Sequence, residues 1–408
     1  MSRQHSRPNH VPAETASPLR DFLRTETAGG TLLVMGAVIA MAWANSPWSW
    51  SYESFWSRTF SLGVNTHTID LVLRKCVNEG LITIFFFVVG LEIKRELVDG
   101  RLATRRAAFL PIAAALGGMA LPALIYLGVA GRTAPRGWAI VVATDIALAV
   151  GVVSIAGSRV PPGLRVFLLG LAVVDDIGAL LVIAVAYSAG TGWGWLAGSS
   201  AVLGTALIAR RARLRQLWLY LALGCLLWLL LRRAGLNPTL SGVAMGLVVP
   251  ATRRVASGDE SPSVVVRLEH LLHPWASYVI VPLFALANSG ITLSSALLHS
   301  AVRSPITWAI VAGRVIGKPV GIVLTTKWMI GSRLADQPSG ATDRQLLGVA
   351  TSAGMGFTVA LFVTELAFTD QVQRSNATLG ILIAAVLAAT LSLMVLAPRR
   401  EHRTRREP

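Results

Sequence analysis

The chain consists largely of apolar blocks about 20 residues long, the length at which an α-helix crosses the hydrocarbon core of a bilayer. In lipid, every backbone N–H and C=O must be paired within the protein, so such blocks fold as helices. Hydrophobic residues make up 53% of the chain and charged residues only 14%, against roughly 25% charged in soluble domains. The sequence therefore predicts an all-α protein with many membrane crossings.

Twelve spans are predicted. They are Ala28–Trp43, Val77–Leu91, Ala107–Leu127, Trp138–Ala156, Leu164–Tyr187, Trp195–Ala209, Leu217–Leu231, Leu236–Val249, His273–Asn288, Ile306–Ile330, Leu346–Phe368 and Ala377–Leu396. Residues 1–24, rich in Ser, Pro, His and Arg, are predicted to be a disordered basic tail. Residues 25–397 are predicted to form one membrane domain, and 398–408 a basic cytoplasmic tail.

The formal net charge of +16 would suit a nucleic-acid partner, but the basic residues lie between apolar blocks and in the tails. In membrane proteins such residues set the topology, because cytoplasmic loops are enriched in Lys and Arg. With the N-terminus inside, most of the 37 Lys and Arg residues fall on the cytoplasmic side. Both termini are therefore predicted to be cytoplasmic, with no nucleic-acid partner. Cys76 and Cys225 support no disulfide or metal framework.

A polar, Trp-rich segment, Ser46–Asp70, follows the first span. Within it Trp48, Trp50 and Tyr52 alternate with serines, a pattern typical of a β-strand. This alternation predicts a small external β-hairpin. An aromatic belt at the membrane interface explains the same residues equally well.

Two adjacent carboxylates, Asp175 and Asp176, interrupt the apolar run Leu168–Ala184. One Asp near the middle of a spanning helix costs roughly 2.5–3.5 kcal/mol, so such residues indicate function. Neighbouring residues on a helix point about 100° apart, so both carboxylates can line one cavity without facing one partner squarely. A proton and a hard cation such as Na⁺ both relieve their repulsion and should compete. The alternative, an interfacial pair at a helix end, fits poorly with the apolar residues on both sides.

Further polar residues are predicted at the same depth. Thr144 and Asp145 lie in the middle of the fourth span and add oxygen atoms. Lys318 lies deep in the tenth span, where a lysine either loses its proton or pairs with a carboxylate, and Asp175 is the expected partner. Arg314, one turn earlier, is expected to extend towards the interface or to form a structural pair.

The eleventh span contains the run TSAGMGFT, in which Gly354 and Gly356 interrupt an apolar segment. Close helix packing is one explanation. Glycine-interrupted spans in corresponding halves of a chain also indicate broken helices at a transporter's binding site. We predict an inverted repeat of spans 3–5 and 10–12, with broken, crossing helices at spans 4 and 11. Asp145 would then neutralise positive helix ends, and Lys318 negative ones.

A charged group is predicted at the cytoplasmic ends of the second and ninth spans. Its members are Glu92, Arg95, Glu96, Glu269, His270 and His273. Because histidine titrates near neutral pH, the group could form a pH-responsive mouth that gathers cations. The alternative is that these are ordinary charged residues at the interface.

Seven stretches, in register over most of the chain, resemble the NhaA family of bacterial Na⁺/H⁺ antiporters. They begin at Glu26 (ETAGGTLLVMGAVIAMAWANS), Phe85 (FFFVVGLEIKREL), Trp138 (WAIVVATDIALAVGV), Leu171 (LAVVDDIGA), Arg267 (RLEHLLHPWASYVIVPLFALANSG), Gly317 (GKPVGI) and Ser352 (SAGMGFTVALF). The resemblance implies electrogenic, pH-regulated exchange of internal Na⁺ or Li⁺ for external H⁺ in the bacterial inner membrane, serving sodium and pH homeostasis without a cofactor.

The resemblance also implies roles for individual residues. Asp176 matches the principal cation-ligating carboxylate and Asp175 the second carboxylate of a Na⁺ site. Thr144 and Asp145 match the polar groups of the unwound fourth span, and Lys318 the lysine that pairs with Asp175 and supports electrogenic exchange. The charged cytoplasmic group matches the family's pH-response cluster, and the Trp-rich segment its dimerising hairpin.

At two positions the sequence differs from some members of the family, and both differences concern the pH profile of activity. Asn237 stands where some have a histidine, and Glu79 where some have an aspartate. Two other classes of function are alternatives. A membrane-embedded aspartyl protease would need two facing carboxylates such as Asp145 and Asp176, which leaves Lys318 unexplained. A passive cation channel would conduct without proton coupling.

Overall fold

The structure is a computed structural model that describes residues 17–64, 67–98, 105–187, 192–212, 214, 216–249 and 264–398. In these ranges the helices are α1 (Ser17–Ala44), α2 (Ser49–Trp56), α3 (Leu73–Val98), α4 (Arg105–Ala130), α5 (Ile146–Ala156), α6 (Pro162–Ala186), α7 (Trp193–Arg211), α8 (Leu217–Arg233), α9 (Leu240–Val248), α10 (Val264–Asn288), α11 (Ser295–Arg303), α12 (Pro305–Gly331), α13 (Asp343–Ser352), α14 (Thr358–Ala367) and α15 (Gln371–Leu396). A 3₁₀ helix, Pro135–Val141, precedes α5.

Eight segments in the described ranges are long and apolar enough to cross a membrane. They lie in α1, α3, α4, Pro135–Arg159, α6, α10, α12 and α15. Helices α7, α8 and α9 lie at the predicted sixth, seventh and eighth spans, and α13 with α14 at the eleventh. The prediction of a multi-pass helical membrane protein is confirmed.

Several helix ends follow from local sequence. Pro162 opens α6 at a position where a missing N–H costs nothing. Thr342 and Gln345 form a capping box at the start of α13, and Asp370 caps α15. Helix α1 already begins at Ser17, so the prediction of disorder is wrong for residues 17–24. The rest of that tail and residues 399–408 lie outside the described residues.

Two antiparallel strands, β1 (Thr59–Val64) and β2 (His67–Val72), pair from Thr59↔Val72 to Val64↔His67. The alternating aromatic residues do not belong to them, because Trp50 and Tyr52 lie in α2 and Trp48 immediately precedes it. The predicted strand at that position is therefore wrong.

Packing explains this difference, since Tyr52 is buried at the end of α10. Its hydroxyl donates towards the carbonyls of Leu286 (2.9 Å) and Ala287 (3.0 Å) and accepts from the Gly290 N–H (3.2 Å). Burial raises the pKa of Tyr52 to about 12, so the hydroxyl keeps its proton. Trp48 and Trp50 remain exposed.

Close packing of α4 against α12 carries Lys318 into the centre of the protein. A Cβ atom at Gly321 would collide with the Gly117 carbonyl, so no larger residue fits this crossing. Small residues at such contacts let helices approach each other in membranes. Lys318 lies one turn before Gly321 and is completely buried.

Candidate cation-binding site

Two helical segments are interrupted where they meet in the protein interior. The first is non-helical from about Val142 to Asp145, between the 3₁₀ helix and α5; the second from about Ala353 to Phe357, between α13 and α14. The Asp145 N–H donates to the Met355 carbonyl at 2.8 Å, so the interruptions are bonded to each other. We call this pair of segments the crossing. It lies at both predicted helix breaks.

The two predicted break glycines, Gly354 and Gly356, are required by close approach at the crossing. A Cβ atom at Gly354 would lie 2.5 Å from the Arg314 carbonyl oxygen. A Cβ atom at Gly356 would collide with the Arg314 guanidinium and the Ala143 carbonyl. A side chain at Gly356 would therefore separate the two segments, whereas one at Gly354 would push the second segment away from α12.

Asp145 accepts hydrogen bonds from the N-terminal ends of α5 and α14, the half-helices that follow the two interruptions. Its carboxylate accepts from the Leu148 N–H at 3.3 Å, as the N-cap of α5. The same side chain accepts from the Thr358 N–H (3.3 Å) and hydroxyl (3.0 Å) at the start of α14. Because a helix N-terminus carries partial positive charge, one carboxylate compensates two helix ends.

Lys318 and Arg314 lie at the opposite, negative ends. The Lys318 ammonium donates to the Val142 carbonyl and to Asp175 Oδ2, the latter at 2.5 Å. The Arg314 guanidinium donates to the carbonyls of Ile140 and Ala143, the latter at 3.3 Å, and is 3.5 Å from that of Gly354.

The expectation that Arg314 extends towards the interface is wrong, because its side chain is 0% exposed. The interrupted segments leave carbonyls without helical partners, and these retain the guanidinium inside the protein.

The two adjacent carboxylates have different surroundings. Asp175 is 0% exposed and contacts Lys318 and the Thr144 hydroxyl, which also lies 2.9 Å from the Ala353 carbonyl. Its second oxygen, Oδ1, has no hydrogen-bond partner among the described residues. Asp176 is partly exposed and faces a cavity.

This cavity has a volume of about 70 Å³, enough for several waters at roughly 10–15 Å³ each on the same measure. Its polar lining combines Asp176 with Thr144, Asp145 and Thr358. Carboxylate and hydroxyl oxygens are the ligands that hard cations prefer. The crossing therefore presents an oxygen-rich wall of the kind that suits a small cation.

Two members of the predicted cytoplasmic group, Glu92 and His273, line the same cavity. A continuous space thus joins that end of α3 and α10 to Asp176. This arrangement places a titratable histidine and a carboxylate on the route to the site.

Three of the other members, Arg95, Glu96 and Glu269, form an ion-pair group. The Arg95 guanidinium contacts the Glu269 carboxylate and lies 3.7 Å from that of Glu96. Glu269 is buried, whereas His270, the next residue, is exposed. These contacts join the C-terminal end of α3 to the N-terminal part of α10.

Thr358 was missed as an individual site residue. The sequence placed it only among the hydroxyls of the eleventh span. Its position in the sequence could have indicated this role. A residue that begins a half-helix directly after a glycine-rich break presents its N–H and hydroxyl to the same ligand.

Crossed, interrupted helices around buried carboxylates, in a multi-pass helical protein, define a membrane transporter. The sequence model of one protein family, described as Na⁺/H⁺ antiporter 1, matches residues 20–396 of the chain. The chain belongs to this family, the NhaA antiporters, and the resemblance read from the sequence is confirmed. Its relatives are transporters rather than enzymes, so the alternative of an aspartyl protease is wrong.

Several known proteins are similar to the chain. An antiporter named NhaA 2 from Sorangium cellulosum is 40% identical over 93% of this chain and 89% of its own length. NhaA from an Acidovorax species is 43% identical over 90% and 89%. The solved sodium proton antiporter MjNhaP1 from Methanocaldococcus jannaschii at pH 8 covers 92% of this chain and 97% of its own, with a TM-score of 0.51. At 14% identity it supports the fold alone.

Proposed function

We propose that the protein exchanges cytoplasmic Na⁺ or Li⁺ for external H⁺ across the bacterial plasma membrane, in support of sodium and pH homeostasis. The observation that carries this proposal is the position of Asp176 on a cavity lined by Thr144, Asp145 and Thr358. These side chains would bind the cation as a substrate.

A count of charges explains why the site exchanges ions rather than only binding them. Asp145 is compensated by helix N-termini, and Arg314 by backbone carbonyls. The Asp175–Lys318 ion pair cancels itself. Asp176 therefore holds one uncompensated charge, which either one Na⁺ or one proton neutralises. Because an uncompensated charge at this depth is costly, release of one ion favours uptake of the other.

Electrogenic exchange needs a second proton for each Na⁺, and the Asp175–Lys318 pair is its proposed source. Within the described parts of the chain Asp175 Oδ1 has no hydrogen-bond partner, so Asp175 can join Asp176 around a cation once Lys318 gives up its proton. The alternative is a structural Lys318. If exchange by Lys318→Ala no longer responds to membrane potential, Lys318 carries charge; if exchange stays electrogenic, its role is structural.

We propose that the cytoplasmic group regulates access with pH. His273 and Glu92 line the route to Asp176, and the Arg95–Glu269 pair links the two helices that frame it. Protonation of the histidine would place positive charge on this route and oppose cation entry.

The finer architecture is part of the proposal. Twelve crossings place both termini in the cytoplasm, and spans 3–5 and 10–12 form an inverted repeat. The interruptions at Asp145 and Gly356 support the repeat, because each half contributes one broken helix. The strands β1 and β2 would form a homodimer contact on the outer face.

The test is Na⁺-driven proton movement in everted membrane vesicles, followed with a pH-sensitive dye. Adding Na⁺ should collapse an acidic interior for the wild type, whereas Asp176→Asn should lose at least 90% of the response. Asp336→Asn, a matched change on an exposed loop, should retain it. Full activity of Asp176→Asn would refute the site; an inactive, folded wild type between pH 7 and 9 would refute the function and leave the passive channel.

A further inference from the structure

Arg314 is a completely buried charge without a role in the exchange described above. It lies in a π-helical turn of α12, Gly313–Gly317. Such turns inside α-helices often occur at functional sites. Its guanidinium contacts backbone oxygens of Ile140 and Ala143 on one broken segment and of Gly354 on the other. One side chain thus joins both halves of the crossing.

The shape of the crossing matches this side chain. The guanidinium occupies the space left by the missing Cβ of Gly356. The planar guanidinium carries five N–H donors in a fixed geometry, so it can bond several carbonyls that a single ammonium cannot reach together.

Arg314 contacts more backbone carbonyls of the interrupted segments than Lys318 does. Lys318 covers only the Val142 carbonyl, and its other contact is Asp175. Arginine stays protonated in proteins, whereas a buried lysine can release its proton. If Lys318 alone held the crossing, its deprotonation would loosen the site at the moment of ion exchange.

We propose that Arg314 is a positioning residue, the permanent positive charge that joins the two broken helices and thereby leaves Lys318 free to separate from Asp175. The proposal rests on the proposed cation site, because it assigns Arg314 the task of holding Asp145 and Thr144 in place for the ion. Arg314 does not contact the ion and acts through the backbone carbonyls of both segments.

The first test compares Arg314→Met and Arg314→Lys with the wild type in proteoliposomes, with rates normalised to folded protein. Loss of the bridging contacts should leave the oxygen ligands less well ordered, so Arg314→Met should raise the apparent KM for Na⁺ about tenfold while kcat falls less than threefold. Arg314→Lys, which keeps the charge but reaches fewer carbonyls, should give an intermediate KM. An unchanged KM in both folded variants overturns the proposal, whatever their stability.

The second test does not depend on transport. The melting midpoint of Arg314→Met is compared with that of the double variant Asp175→Asn/Lys318→Met, which removes the neighbouring ion pair as a unit. Replacing a buried pair by neutral residues often costs little. The Arg314 variant should therefore melt at the lower temperature.

A lower midpoint for the double variant would show that Lys318 holds the crossing, and would overturn the proposal. If Arg314→Met fails to fold while the double variant folds, the holding role is supported, and the KM of Arg314→Lys decides the positioning role. An inactive, folded wild type refutes the antiport function but leaves the comparison of melting midpoints valid.

Discussion

Replacing Gly356 by alanine tests the crossing directly. The added Cβ atom would lie 2.8 Å from Cζ of Arg314 and closer still to its Nη1 and to the Ala143 carbonyl oxygen. Real Cβ contacts are not that short, so the guanidinium or the backbone must move. Arg314 and Ala143 are both 0% exposed, which leaves little room for the movement.

The expected magnitude follows from two costs. Inserting a methyl group into a packed core costs about 1–3 kcal/mol. Displacing the Arg314 guanidinium from the Ala143 carbonyl loses a hydrogen bond to a charged group, about 1.5–3 kcal/mol. Together these predict that Gly356→Ala lowers the free energy of unfolding by about 2.5–6 kcal/mol. At an unfolding entropy of about 2.1 cal/mol/K per residue, a chain of 408 residues should then melt at a temperature lower by about 3–7 °C.

Gly151→Ala is the matched control, because Gly151 lies in α5 and, among the described residues, no atom outside its own stretch of helix lies within 4 Å of the added Cβ. Alanine is favoured over glycine in a helix by about 0.5–1 kcal/mol, so this variant should melt at or slightly above the wild-type temperature. The melting midpoint is measured by tryptophan fluorescence in detergent. Na⁺-driven proton exchange is measured separately in everted vesicles. If Gly356→Ala and Gly151→Ala have the same melting midpoint, the close approach at Gly356 is not rigid and the reasoning is refuted.

Three other substitutions probe contacts around the site. Thr358→Val removes one hydroxyl contact to Asp145 and should raise the KM for Na⁺ about threefold to tenfold, measured in proteoliposomes; an unchanged KM would remove Thr358 from the site. Tyr52→Phe leaves backbone carbonyls at the end of α10 without their donor and should cost about 1–3 kcal/mol; an unchanged melting midpoint would contradict this. Arg95→Ala leaves Glu269 buried without its ion partner and should lower the melting midpoint, whereas adding Glu269→Gln should restore most of the loss, because a neutral amide needs no counter-charge.

The partner of Lys318 could be predicted from sequence because few carboxylates lie at membrane depth and a buried ammonium requires one. The helix breaks could also be predicted, since glycines and hydroxyls interrupt apolar runs in corresponding halves. The surroundings of Arg314 could not be predicted in this way. A spacing of four residues places it on the same helix face as Lys318, but one turn nearer the helix end, from which a long side chain can also extend to the interface. The carbonyls that keep it inside belong to segments distant in the chain.

The strand predicted around Trp48–Tyr52 was wrong for a related reason. Period-two alternation in a short segment is a weak signal, and tertiary packing decided the outcome. As a helix, α2 places Tyr52 and Trp56 on one buried face, where the Tyr52 hydroxyl reaches the end of α10. The strands lie further along the chain, in β1 and β2, where no such alternation was recognised.

The difference between Asp175 and Asp176 follows from helix geometry alone. Adjacent side chains on α6 point about 100° apart, so the carboxylate that faces the cavity cannot be the one that faces α12. In the proposed mechanism, a cation at Asp176 therefore recruits Asp175 only if Lys318 releases it. Two cavity-facing carboxylates would bind a cation without altering the ion pair. Because the second carboxylate is instead held by Lys318, the proposed mechanism makes cation binding and proton release one event, as an exchanger requires.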